Sequence, residues 1–101
     1  PKGEKLMKMT YHVQYERIDR IANILATTGF GEIVHRMPAR EGDRVRCITT
    51  TGVILIMDKN EEVLITAYHA SYKQAAAMYR GNTPRAIYKT IQSNYRRGYV
   101  L

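Results

Sequence analysis

Four times in the last thirty residues a tyrosine is followed directly by a basic residue: Tyr72-Lys73, Tyr79-Arg80, Tyr88-Lys89 and Tyr95-Arg96. No Asp or Glu occurs from Val63 to Leu101. Phenol rings can stack on nucleobases and cations can pair with phosphates, so the pattern suits a polyanion that also carries rings. The charge is lopsided: residues 1–70 hold ten Lys/Arg and nine Asp/Glu, a balance of +1. Residues 71–101 hold Lys73, Arg80, Arg85, Lys89, Arg96 and Arg97 with no acid, and carry +6 of the net +7. Such sign asymmetry points to an anionic partner, nucleic acid first. A solvated face that confers solubility would account for the cations. It would not account for six of the eight tyrosines (68, 72, 79, 88, 95 and 99) accompanying them.

A second group of residues could do chemistry on RNA. Metal-free cleavage needs a proton taken from the 2′-hydroxyl, a proton given to the leaving 5′-oxygen, and charge held on the phosphorane. Histidine or tyrosine can move the protons and arginine can hold the charge. In "RVRCITT", Arg44 and Arg46 alternate with apolar Val45 and Cys47. In "VLITAYH", Thr66 and Tyr68 alternate with Val63, Ile65 and Ala67. If both strands turn their apolar sides to one layer, Arg44, Arg46, Thr66 and Tyr68 share the opposite sheet face. His35 and Arg36 point to opposite faces, so at most one joins them. The plain alternative for each is a solvated strand arginine or a half-buried strand tyrosine.

Other machineries lack sequence support. "TTTG" has neither the lysine nor the spacing of a phosphate-binding loop. His12, His35 and His69 show no i,i+4 pair, and Cys47 is alone, so no metal site and no cofactor are expected. Ser71 reads as a helix cap rather than a nucleophile, and Glu61-Glu62 lies in a polar turn.

The elements that must position these residues follow from periodicity and punctuation. Residues 10–28 predict a helix closed by Gly29, with Ile18, Ile21, Leu25 and Thr28 on one stripe. Residues 32–37 predict a strand ended by Pro38. "RVRCITT", "VILIM" and "VLITAYH", separated by short polar turns, then predict three more strands. Ser71 with Gln74 forms a capping box for a helix stopped at Gly81. Thr83 is expected as N-cap, with Pro84 in first position, of a final helix carrying Ile87, Ile91 and Tyr95 on its inner stripe. The fold class is α+β: an N-terminal helix, a four-stranded antiparallel meander and two C-terminal helices. The 101 residues suffice for one domain, with 1–9 expected as a flexible arm. No apolar run reaches the roughly 18 residues of a membrane span, no secretory signal is evident, and a lone cysteine favours a cytoplasmic setting.

The leading helix "YHVQYERIDRIANIL", with His12 and Arg17, the four-stranded sheet and the strand "VLITAY" resemble the RelE and barnase-like superfamily of small ribonucleases. The resemblance covers about residues 10–70. It implies metal-independent RNA cleavage on the open sheet face, with His12, Arg17, Arg46, Thr66 and Tyr68 in the catalytic roles. It also implies a toxin, phage or mobile-element context, with an acidic antitoxin as partner. Three functions stay open: a metal-independent endoribonuclease, a non-catalytic protein binding nucleic acid (RNA ahead of DNA) through Lys73, Arg80, Arg85, Lys89, Arg96 and Arg97, and a basic protein that meets an acidic host protein. No membrane partner is expected.

Overall fold

A computed structural model describes residues 8–9, 18–40 and 42–101. The elements in chain order are β1 (Lys8–Met9), α1 (Ile18–Ala26), β2 (Ile33–Pro38), β3 (Arg44–Thr49), β4 (Val53–Asp58), β5 (Val63–His69), α2 (Tyr72–Met78) and α3 (Arg85–Arg96). Strands β2 to β5 form the expected antiparallel meander, and the class is α+β. One strand was not foreseen. Lys8–Met9, expected in a flexible arm, pair in parallel with Val63 and Leu64 of β5 and complete the order β1-β5-β4-β3-β2.

β4 runs through the middle of the sheet, and its residues Val53 to Met57 are all buried, as its continuous apolar sequence demands. One face of the sheet carries Cys47, Val53, Leu55, Met57, Leu64 and Ala67, packed against Ile21 and Ile24 of α1. The other carries Ile48, Ile54 and Ile56, packed under Ala75 and Met78 of α2 and Ile87 and Ile91 of α3. The sheet is therefore the middle of three layers.

Three expectations about faces need correction. On α1 the inward residues are Ile21 and Ile24, while Leu25 is 61% exposed. Ile24 lies on the same flank as Ile21 and Thr28, so the helix seats on that line. On β5 a bulge lies opposite the Ile56/Met57 step: Leu64 pairs with Met57 and Thr66 with Ile56. The extra residue, Ile65, then joins the α2–α3 side instead of the α1 side. On α3 the buried stripe is Ile87, Ile91 and Asn94, not Tyr95.

The helix ends follow local chemistry. Gly29, at φ +70°, donates its N–H to the Ile24 carbonyl at 2.8 Å and closes α1 in the left-handed conformation glycine favours. Ser71 Oγ accepts from the Gln74 N–H at 3.1 Å, and Gln74 Oε1 accepts from the Ser71 N–H at 2.8 Å, so the capping box on α2 is complete. For α3 the cap itself is Pro84, one residue later than expected; Thr83 lies outside the helix and no side chain caps it.

Candidate nucleic-acid interface

α3 separates its residues into lines at 100° per residue. Ile87, Ile91 and Asn94 face the sheet. Arg85, Lys89 and Arg96 fall within about 40° of one another on the opposite side, and all three are exposed. Tyr88 and Tyr95, seven residues apart, occupy the flank between these lines. On that flank they meet Tyr72 of α2: the Tyr72 and Tyr95 rings stack with centroids 4.5 Å apart and planes at 10°. Tyr72 and Tyr88 lie 5.1 Å apart at 33°. Seven residues rise about 10.5 Å along a helix, close to the two ring spacings together, so Tyr72 sits between the α3 tyrosines as the middle of a three-ring pile. Its phenol pKa is raised by loss of water around it and by Tyr88 and Tyr95, with the Arg96 charge acting in the opposite sense. The outer rings stay open: Tyr88 is 47% and Tyr95 39% exposed.

Lys73, Arg80 and Arg97 are exposed as well. Arg80 follows the end of α2 with φ +53°, and Arg97 caps α3. Among the described residues, none of the six predicted cations forms an ion pair. Tyr79, which the sequence places inside a helix running to Gly81, lies past the last turn of α2 and stacks on His35 at 4.3 Å. His35 Nε2 is 3.0 Å from the Met78 carbonyl, and burial raises the Tyr79 phenol pKa. This histidine anchors α2 to the edge strand.

The proposed catalytic face is partly assembled. The register sets Arg46, Ile56 and Thr66 on one rung, His35, Ile48, Ile54 and Tyr68 on the next, and Arg44 opposite Asp58 on the far side. Arg44, Arg46, Thr66 and Tyr68 thus share a face, joined by His35. That face is not bare, because Ile48 and Ile54 between these residues support α2 and α3, and Tyr68 is half-buried against that core. Arg46 and Thr66 lie at its margin, and Arg46 Nε and Thr66 Oγ1 are buried atoms without a hydrogen-bond partner. Arg46 also lines a shallow hollow with Met37 and Arg40. His12 and Arg17 lie outside the described residues. On the opposite face Arg36 makes a bidentate pair with Glu61, at 2.5 and 3.1 Å, and the buried Cys47 thiol is pushed up to about 11 by burial, which removes it from thiolate chemistry.

Two features had no signal in the sequence. A cleft of about 890 Å³ opens between α1, the end of β5 and residues 98–101, lined by Arg20, Tyr68, His69, Gln74 and Tyr99 among others. His69 is 7% exposed at its wall; its Nε2 lies 3.0 Å from Thr28 Oγ1 and its ring 5.5 Å from that of Tyr99. Burial lowers its pKa, with a contact to the Tyr99 backbone acting against this. The other is Asn94, whose Nδ2 donates to the Thr51 carbonyl at 3.0 Å. Neither follows from spacing, since the partners are 41 and 43 residues away. Among the described residues no cluster of His, Cys, Asp or Glu is arranged to hold a metal, and no helix is long and apolar enough to cross a membrane.

No protein-family model, characterised protein or solved structure matches this chain.

Proposed function

We propose that the protein binds nucleic acid, RNA ahead of DNA, through the outer surface of α2 and α3. The observation that carries this reading is the line Arg85, Lys89 and Arg96 on α3, opposite its buried stripe and without an acidic partner among the described residues. Cations in such a line neutralise phosphates and release their counterions, so affinity must fall with salt. With four to six phosphates contacted, log K against log[salt] should have a slope of about −3 to −5. Fluorescence anisotropy with labelled RNA and DNA measures it. Absence of binding at low salt would leave the reading in which the basic surface meets an acidic protein, an antitoxin or host protein.

A second reading, metal-independent RNA cleavage of the RelE and barnase-like kind, is supported by Arg46 and Thr66, which share one rung of the sheet, with Arg46 also lining an open hollow. Tyr68 contributes less to it than the sequence suggests, because its ring packs with the α2–α3 core. RNA incubated in EDTA should be cut to 2′,3′-cyclic phosphate ends while DNA, lacking the nucleophile, is spared. Intact RNA would retire this reading and leave binding alone.

A further inference from the structure

We infer that this surface takes single-stranded nucleic acid, with bases stacked on the outer faces of Tyr88 and Tyr95 and phosphates on Lys89 and Arg96; the inference rests on the nucleic-acid reading above. Packing α2 against α3 accounts for Tyr72, which is held between two rings. It does not account for the two outer tyrosines, each of which leaves about two-fifths or more of its surface in water. Tyr88 and Tyr95 recur at seven residues, and so do the cations that follow them, Lys89 and Arg96. Rings and charges therefore run as two parallel rows along α3, the rings about 90° around the axis from the charges.

A single strand presents the same two rows, π-faces on one side and phosphates on the other. Stacking on aromatic side chains tolerates any base, because every base has such a face. A duplex hides its base faces within its own stack and offers this surface phosphates alone. An acidic protein would satisfy the cations and leave the ring faces unused. Charge also favours the occupant, since no Asp or Glu side chain occurs between Val63 and Leu101 to repel a phosphate.

The test compares three probes of equal length at one salt concentration: a single-stranded oligoadenylate, a duplex, and an oligonucleotide of abasic sugar-phosphate units. The parent chain should bind the oligoadenylate at least about ten-fold more tightly than the abasic strand, a factor in the range expected for a stacked base. The double variant Tyr88→Leu/Tyr95→Leu should lose that advantage, while its affinity for the abasic strand and its salt slope stay as in the parent. Tyr88→Phe/Tyr95→Phe, which keeps the π-faces, should retain it. Equal affinity of the parent for oligoadenylate and abasic strand, or tighter binding of the duplex, would overturn the stacking inference and leave nucleic-acid binding standing. Failure of all three probes to bind at low salt would overturn both. The parent comparison needs no variant, so a misfolded leucine double would not shield the inference.

Discussion

Asn94 joins two parts of the molecule that are distant in sequence. Its amide reaches the Thr51 carbonyl, in a turn where Thr51 Oγ1 lies 2.9 Å from both the Gly29 and the Phe30 carbonyls. Gly52 follows at φ +77°, and a β-carbon there would stand 2.9 Å from Asn94 Nδ2. Asn94→Ala should therefore cost about 1 kcal/mol or more, since it removes the partner of a half-buried carbonyl. Gly52→Ala should cost at least about 1–2 kcal/mol through its left-handed backbone alone. Thermal unfolding checks both, at roughly 4–8 °C per kcal/mol for a domain of this size. His69 sets a pH dependence. Unfolded, it takes up a proton near its ordinary value of 6.5; folded, burial resists that proton. Its contribution is thus complete above about pH 6.5 and is lost as pH falls through the lower folded value. His69→Gln, which cannot titrate, should show a smaller fall in melting temperature between pH 7 and pH 5 than the parent. An equal fall would assign the dependence to other groups.

Among the elements, α3 does two tasks with separate sides. Ile87 and Ile91 dock it on the sheet, and Arg85, Lys89 and Arg96 project away. Removing the outward charges should spare the fold. The triple variant Lys89→Ala/Arg96→Ala/Arg97→Ala should stay folded, because all three side chains are exposed and Arg97 caps α3 through its backbone N–H, which alanine retains; each such substitution usually changes stability by less than about 0.5 kcal/mol. It should bind RNA and DNA alike more weakly, with a salt slope shallower by about two to three. Parent-like affinity would reduce these cations to a solubility surface. The element types themselves were legible: the capping box at Ser71 and Gln74, the apolar run of β4, and the glycine that closes α1. The β5 bulge was not. "VLITAYH" alternates as a regular strand would, and the slip at Ile65 appears only when Leu64 and Thr66 are paired with Met57 and Ile56.

At the scale of the whole molecule, a sheet covered on both faces concentrates stability in its middle strand. The amides of Ile54 to Met57, bonded on both sides and buried, should exchange with solvent only through global unfolding. Those of α3's last turn and residues 98–101 should exchange by smaller openings. Hydrogen exchange followed by NMR distinguishes the two, and fast exchange in β4 would contradict the three-layer core. The same covering bears on catalysis. A sheet face that must admit RNA should be bare, and here α2 and α3 rest on Ile48 and Ile54 and leave Arg46 and Thr66 at the margin. The basic helices that suggested an RNA partner thus cover part of the face on which cleavage was expected.

By itself, the sequence determined the class and the order of the elements from α1 onward, because helix caps, turn residues and hydrophobic period act over a few residues and need no distant partner. It also determined the sign of the charge on the last third of the chain, since the thirty-nine residues from Val63 to Leu101 hold six Lys or Arg and no Asp or Glu. Only the tertiary structure decided which tyrosines meet. Tyr72 and Tyr79 have the same spacing as Tyr88 and Tyr95, yet one pair diverges to α3 and His35 while the other lines one flank. Spacing fixes direction along one helix, and α2 ends before Tyr79 completes its second turn. Which side chains then share a surface depends on how two helices are laid across a sheet, and packing between residues far apart in the chain settles that.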